Sequence, residues 1–308
     1  MAKVFIDGEA GTTGLQIRDR LAGLDGLDVI SIDEALRKDE AARQDMMREA
    51  DVIILCLPDD AAREAVVLVD ALGGDAPRVI DASTAHRTAD GWVYGFAELF
   101  EGQASRIAAA RKVSNPGCYP TGAIALLRPL IDAGLMPSSH SVSINAVSGY
   151  SGGGKSMIAD YEAGTADAFQ LYGLALHHKH VTEMQLYSGL TTRPIFIPSV
   201  AAFAQGMLVS IPLHLSSLTG KPTAGDIATA LTAHYDGAQH VRVTSDAINA
   251  TKGKLEPQGL NGTDDMELFV FADDTLGQAV LVARLDNLGK GAAGAAVQNL
   301  KLMVGLSD

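Results

Sequence analysis

Val4-Phe5-Ile6-Asp7-Gly8-Glu9-Ala10-Gly11-Thr12-Thr13-Gly14 is the stretch from which the fold can be read. A short apolar run ends at Gly8, and a helix pattern follows through Leu15, Ile17 and Leu21. Glycines between a strand and a helix let backbone amides at the helix start approach a pyrophosphate. The spacing is G-x-x-G-x-x-G rather than G-x-G-x-x-G, so its place directly after an N-terminal strand carries more weight than the pattern. Gly8, Gly11, Thr12, Thr13 and Gly14 are therefore candidate cofactor-binding residues, the competing reading being an ordinary strand–helix turn.

Outward from this loop, strand and helix patterns alternate. Val29 to Ile32 reads as a second strand and Lys38 to Ala50 as a helix. Val52 to Leu57 is apolar on both faces, as a central parallel strand should be. Cys56 falls inside it and reads as core. Ala61 to Leu72 is helical in pattern, and Val79-Ile80-Asp81 is a fourth strand. Such alternation implies a parallel, doubly wound sheet. From about Ser141 the pattern changes to strand-like runs around Ile144, Phe196, Leu208 to Leu213, Val241 to Val243, Leu268 to Val270 and Gln278 to Arg284. Helical patterns are fewer there, which reads as an α+β domain with a mixed or antiparallel sheet. Lys290 to Val304 returns to a helix. The expected fold class is α/β: an N-terminal Rossmann-like dinucleotide-binding domain and a second α+β domain.

Composition narrows the function. The 308 residues carry a formal net charge of −13, which argues against a nucleic-acid or anionic-membrane partner. A phosphorylated small-molecule substrate is still allowed, because a few local cations suffice. Two cysteines make neither a disulfide framework nor a zinc set, so no metal is expected and a reduced, cytoplasmic setting fits. Met1-Ala2-Lys3-Val4 runs directly into a strand pattern and does not read as a signal peptide.

Chemistry concentrates in a few segments. Ser114-Asn115-Pro116-Gly117-Cys118-Tyr119-Pro120-Thr121-Gly122 leads from a strand through a Pro-Gly turn into an apolar helix pattern. Cys118 should sit at that helix's N-terminus, where orphan amides and the dipole favour a thiolate. His177-His178-Lys179-His180-Val181-Thr182-Glu183 offers imidazoles as proton shuttles, with His180 first and His178 second. Arg87, in Asp81-Ala82-Ser83-Thr84-Ala85-His86-Arg87, suits a carboxylate or phosphate clamp, or else a structural ion pair. Asp33 at the end of the second strand suits an NAD ribose hydroxyl, whereas Arg37 and Lys38 suit an NADP 2′-phosphate. The residues leave these two open. Gly149-Tyr150-Ser151-Gly152-Gly153-Gly154-Lys155-Ser156 satisfies G-x-x-x-x-G-K-[ST], the P-loop pattern, but in the wrong context. Lys155 is a candidate to help hold an anionic substrate.

The segment from Ser114 to Gly122 resembles the active-site segment of the N-acetyl-gamma-glutamyl-phosphate reductases, and the resemblance runs along nearly the whole chain, closest to the family's shorter length class. His178-Lys179-His180 and Glu183 match the family's histidine segment, with Thr182 in place of its usual proline. Ser148-Gly149-Tyr150-Ser151-Gly152 matches a substrate loop, which implies substrate contacts for Ser148, Gly149, Ser151 and Gly152, and also for His178 and Glu183. The segment around Asn287 is implied to lie near the nicotinamide. The resemblance implies NADP, a Cys118 thioester formed from an acyl phosphate, a place in arginine biosynthesis and a homo-oligomer. It divides the chain into an NADP-binding domain, residues 1–117 plus 286–308, and a catalytic and dimerisation domain, residues 118–285. Alternatives are a related acyl-phosphate reductase such as aspartate-semialdehyde dehydrogenase, a Cys-His hydrolase, a P-loop NTPase and a non-catalytic dinucleotide-binding module.

Overall fold

The computed structural model describes residues 1–307. The chain groups into two compact units. One comprises Met1–Ala97, Glu101–Pro116 and the C-terminal stretch from Ala292; the other comprises Glu98–Phe100 and Gly117–Gly291.

The first unit is built on a six-stranded, all-parallel sheet in the order β2-β1-β3-β4-β6-β5. Its strands are β1 (Ala2–Asp7), β2 (Leu27–Ile30), β3 (Val52–Leu55), β4 (Arg78–Asp81), β5 (Val93–Tyr94) and β6 (Lys112–Ser114). Its helices are α1 (Thr12–Leu21), α2 (Glu40–Glu49), α3 (Asp59–Ala71) and α4 (Gln103–Ala109), joined by the last helix of the chain. Alternation along the strands splits the core in two. Val4, Ile6, Ile54, Ile80 and Val113 face Ile17, Leu21, Ile107 and, from the C-terminal helix, Val297 and Leu300. Phe5, Ile53, Leu55 and Val79 face Met47 and the Ala62, Ala65, Val66 and Val69 stripe of α3. A sheet covered on both faces needs strands apolar on both sides, which is why β3 is Val-Ile-Ile-Leu, all buried.

Several element boundaries differ by a few residues from the sequence expectation. The second strand runs over Leu27–Ile30, not Val29–Ile32, so Asp33 lies three residues beyond its end. There Asp33 Oδ1 accepts from Ala35 N at 2.9 Å, a local turn that competes with strand extension. The following helix begins at Glu40 because the Asp39 side chain caps it, accepting from Ala42 N at 2.8 Å. β3 stops at Leu55, leaving Cys56 just past the strand, only partly buried against the core.

The second unit carries a mixed seven-stranded sheet, in agreement with the expectation of an α+β domain. Its strands are β7 (Ser143–Gly149), β8 (Phe169–Leu171), β9 (Ile195–Ala201), β10 (Met207–His214), β11 (Val241–Thr244), β12 (Met266–Asp273) and β13 (Gln278–Leu285). They run in the order β11-β12-β13-β10-β7-β9-β8; β7/β9 and β11/β12 are parallel and the other pairs antiparallel. Its helices are α5 (Cys118–Asp132), α6 (Gly154–Glu162), α7 (Val181–Ser188), α8 (Ala224–His234) and α9 (Ala247–Thr251). The chain then ends in α10 (Gly294–Val304), which belongs to the first unit. α5 is buried on all sides from Tyr119 to Leu127. Gly122 lets it settle onto the sheet, since a β-carbon there would lie 2.9 Å from Val209 Cγ2.

Within the first unit, Arg78 ties helix ends together. Its guanidinium donates to Ala110 O at 2.9 Å, Ala108 O at 2.6 Å and Met303 O, carbonyls at or near the C-termini of α4 and α10. Such carbonyls have no partner inside their own helix. Arg78→Met should therefore destabilise the protein by about 2 kcal/mol. A thermal unfolding midpoint lower by about 4–8 °C would register that loss.

Candidate active site

Cys118 is the first residue of α5, with Gly117 as the N-cap. Gly117 contributes no capping side chain. Its N–H instead donates to the Glu183 carboxylate at 3.2 Å, from the first turn of α7. Glu183, 2 % exposed, thus binds the turn that presents the thiol. Thr121 Oγ1 closes the same turn on Gly117 O at 2.9 Å. Pro120 falls in the first turn, where its missing N–H removes no helical bond.

The histidine segment enters α7, with His180 as its buried N-cap residue. The rings of His178 and His180 are 4.7 Å apart, and Tyr119, the neighbour of Cys118, packs against both, at 6.3 and 6.0 Å. His178 Nδ1 accepts from the backbone N–H of His180 at 3.2 Å. An accepting nitrogen is an unprotonated one, and burial together with Lys179 lowers the pKa of His178. His177 and Lys179 are exposed.

Two hydroxyls complete this cluster without having stood out in the sequence. Tyr172 donates to Tyr119 Oη at 3.1 Å, and Tyr119 donates to Ser199 O at 2.9 Å. Burial pushes the Tyr172 hydroxyl up to about 12, the bond to Tyr119 moderating the rise and the Cys118 thiol adding to it. Tyr119 is raised far above the usual phenol range, chiefly by burial. Both are neutral hydrogen-bonding groups at physiological pH. Tyr172 lies 54 residues from Cys118 in a segment with no motif, so only folding brings it near.

The loop after β7 has the local order strand, 3₁₀ turn (Tyr150–Gly153), helix α6. That order fits a P-loop better than the sequence context suggested, but the amides do not. A P-loop cradles phosphate with free backbone N–H groups. Here the N–H groups of Gly149, Tyr150 and Ser151 donate to Gly206 O, Phe203 O and Ala204 O at 2.9, 3.0 and 3.0 Å. Ser148 and Ser151 are buried, whereas Gly152 and Lys155 are exposed. Asn287, 1 % exposed, holds this loop from below: its Oδ1 accepts from Gly206 N at 2.8 Å and its Nδ2 donates to Ser151 Oγ at 3.0 Å. The amide of Asn287 is thereby committed within its own unit.

In the first unit the glycine loop lies at the carboxyl ends of β1 and β3, where the strand order reverses and where doubly wound sheets bind ligands. Gly8 has φ +91°, and a β-carbon on it would overlap Cys56 O. A β-carbon on Gly14 would lie 2.6 Å from Gly8 O and Glu9 Cα. Gly11 is the N-cap of α1, so Thr12 and Thr13 open the helix. Arg37 and Lys38 are exposed, and Arg37 Nη1 lies 3.5 Å from Glu34. Arg87 is buried, donating from Nε to Asn115 O at 3.0 Å and from Nη2 to Ala82 O at 3.4 Å. Beside it, the fully buried Asp81 accepts from Ser83 N and Oγ at 2.8 Å and lies 2.6 Å from His86 Nδ1. Among the described residues no three histidine, cysteine or acidic side chains gather as a metal site, and no helix is long and apolar enough to cross a membrane.

A doubly wound sheet joined to a mixed-sheet unit that opens on a helix-capped cysteine defines a class, and comparison with known proteins agrees. Residues 118–287 match the model for the semialdehyde dehydrogenase dimerisation domain. Aspartate semialdehyde dehydrogenase from Francisella tularensis superposes with a TM-score of 0.74 at 15% identity, covering 99% of this chain and 100% of that one. The Candida albicans enzyme, solved with NADP, superposes at 0.70 and 13% identity, with 99% of each chain covered. The fold is thus that of the semialdehyde dehydrogenases. N-acetyl-gamma-glutamyl-phosphate reductase from Brucella ovis is 57% identical over 98% of this chain and 99% of its own. The chain belongs to the N-acetyl-gamma-glutamyl-phosphate reductase family.

The two thiols should differ sharply in reactivity. Burial, helped by the Asp81 and Asp7 carboxylates, pushes the Cys56 thiol up to about 12. Only the thiolate alkylates, so Cys56 should stay unmodified by iodoacetamide from about pH 6 to 9 while Cys118 reacts. Peptide mapping after limited alkylation measures this, and equal labelling would contradict it.

Proposed function

We propose that the protein reduces N-acetyl-γ-glutamyl phosphate to N-acetylglutamate semialdehyde with NADPH, releasing phosphate, through a thioester on Cys118. The observation that carries this reading is Cys118 at the first position of the buried helix α5, in a chain that matches the reductase family from end to end. The Cys118 thiolate attacks the acyl carbon, and the carbon–oxygen bond to phosphate breaks. NADPH, when bound, would supply the hydride to the thioester carbonyl; His180 gives the resulting oxyanion its proton, forming the hemithioacetal. His180 takes the proton from the hemithioacetal hydroxyl as the carbon–sulfur bond breaks, which frees the aldehyde and restores the thiolate. Backbone N–H groups at the α5 start stabilise the oxyanion. The backbone N–H that already occupies His178 Nδ1 supports giving the shuttle to His180.

NADP fits the first unit. Gly8 and Gly14 have no room for a β-carbon, because the loop folds tightly against Cys56 and onto itself, and this leaves the α1 start as the place where backbone amides would hold a pyrophosphate. Arg37 and Lys38 stand beyond β2 for the 2′-phosphate, in preference to Asp33, whose carboxylate is engaged by Ala35 N. The substrate loop Ser148 to Gly152, together with Arg87, Glu183 and Lys155, serves the anionic substrate, directly or by holding the backbone that does. The protein works as a homo-oligomer in the cytoplasm. The edge strand β8, with Phe169, Gln170 and Leu171 all exposed, supports a second copy of the chain as partner.

The direct test is reduction of NADP⁺ with N-acetylglutamate semialdehyde and phosphate, the reverse reaction. Cys118→Ser should abolish it by more than about 10³-fold while NADPH still binds, since a serine hydroxyl is hardly ionised at neutral pH. His180→Asn should lower kcat about 10²- to 10⁴-fold, and His178→Asn much less. Substantial turnover by Cys118→Ser would remove the covalent route.

Replacing Arg37 and Lys38 by Ala should weaken NADPH about 10²-fold, the loss of two charge-assisted contacts, and leave NADH unchanged. Equal binding of NADH and NADPH by the unaltered protein would contradict this. Mg-ATP should not bind at millimolar concentration, in the parent or in Lys155→Ala, because the first three amides of the loop are already taken by backbone carbonyls; Mg-dependent ATP binding lost in Lys155→Ala would contradict this.

A further inference from the structure

We propose that Gly291 is a positioning residue for the Cys118 thiol, and that the buried Lys290–Glu98 ion pair holds it in place. The inference rests on the reading of Cys118 as nucleophile. All four residues belong to the same unit.

Residues Gly289–Ala293 form one wide π turn ahead of α10. Gly291 N–H reaches back five residues to Asp286 O at 3.0 Å. Turns of this kind are unfavourable in isolation and recur at functional sites. The wide turn brings the backbone of Gly291 against the nucleophile. A β-carbon at 291 would lie 2.9 Å from Cys118 Cβ, 3.3 Å from Cys118 Cα and 3.1 Å from Asp286 O. Neither the Cys118 backbone, locked at the start of α5, nor the Asp286 carbonyl can give way. Glycine at 291 is thus a wall of bare backbone on one side of the cysteine, and any other residue displaces the thiol.

The turn is fastened at its centre. Lys290 Nζ meets both carboxylate oxygens of Glu98, at 2.7 and 2.8 Å. The two side chains are 2% and 9% exposed. Desolvating an ammonium and a carboxylate offsets most of what their attraction returns, so such a pair is weak as a source of stability. It does fix both partners in one place, because either charge left alone in the interior is strongly unfavourable. Gly289 adds a second restraint, since a β-carbon there would overlap Thr263 O.

The test is alkylation of Cys118 by iodoacetamide in cofactor-free enzyme, beside steady-state kinetics. In Gly291→Ala the alkylation rate should change at least about tenfold or its pH midpoint shift. kcat should fall at least about tenfold, as misplacement of a reacting group by about 1 Å does. KM and the NADPH dissociation constant should stay within about twofold. Should Gly291→Ala fail to fold, the double variant Lys290→Met with Glu98→Gln removes both charges and should show the same pattern, with Lys290→Arg, which keeps the pair, close to the parent. Unchanged alkylation and kcat in the folded variants would overturn the proposal. So would a loss confined to NADPH affinity, which would assign the turn to the cofactor. Failure of the underlying reading is separate: Cys118→Ser would then still turn over.

Discussion

The Asp286 carboxylate has no exposed surface, and an uncompensated charge there would be strongly destabilising. Its neighbours satisfy it. Oδ2 accepts from Gln205 Nε2 and Gly262 N, both at 2.7 Å, and Oδ1 from Leu288 N at 2.9 Å. Three separate chain segments therefore have one mutual arrangement. Asn287 extends it to Gly206 and Ser151, and Lys290 extends it to Glu98. The loop after β7 and the turn beside Cys118 both depend on this centre. A site built this way is rigid because each polar group is a partner that another cannot lose.

The first unit obeys the same rule at the carboxyl ends of its strands. Asn115, three residues before the thiol, has its amide N–H on Asp81 O at 2.8 Å and its carbonyl on Arg87. Its side chain joins Ala292 O at 2.9 Å and Asn299 Nδ2 at 3.1 Å. Arg87 is the instructive case. Its sequence position suits an anion clamp, and its guanidinium in fact grips two backbone carbonyls of its own unit. It shapes the strand ends whatever else it binds. Glu183 and Asn287 follow the same pattern, functional-looking side chains whose polar atoms hold a backbone in place.

Much was legible before any coordinates. Hydrophobic runs located β1, β3 and β4 because a strand buried on both faces must be apolar throughout, and few other segments are. The glycine loop was legible because only glycine tolerates backbone at van der Waals distance or φ +91°. Cys118 stood out from its turn and the helix pattern behind it. The boundaries at Ile30 and Glu40 were not, since an Asp33 turn and an Asp39 cap outcompete weak strand and helix patterns. The P-loop match is a pattern without the chemistry expected of it: the strand–turn–helix order is present, but carbonyls from residues 203–206 occupy the amides of Gly149, Tyr150 and Ser151.

The sequence by itself determined the parallel sheet, the cysteine at a helix start and the family, because these depend on local periodicity, turn chemistry and runs of contiguous residues. Tertiary structure alone decided which histidine is held neutral, that Tyr172 shares a hydrogen bond with Tyr119, and that Gly291 lies against Cys118. The reason is physical. Burial and hydrogen-bond partnership join residues far apart in the chain, so they leave no local pattern. Gly291 is 173 positions from Cys118, and the two meet only in the folded unit, where Asp286 and Lys290 find their partners.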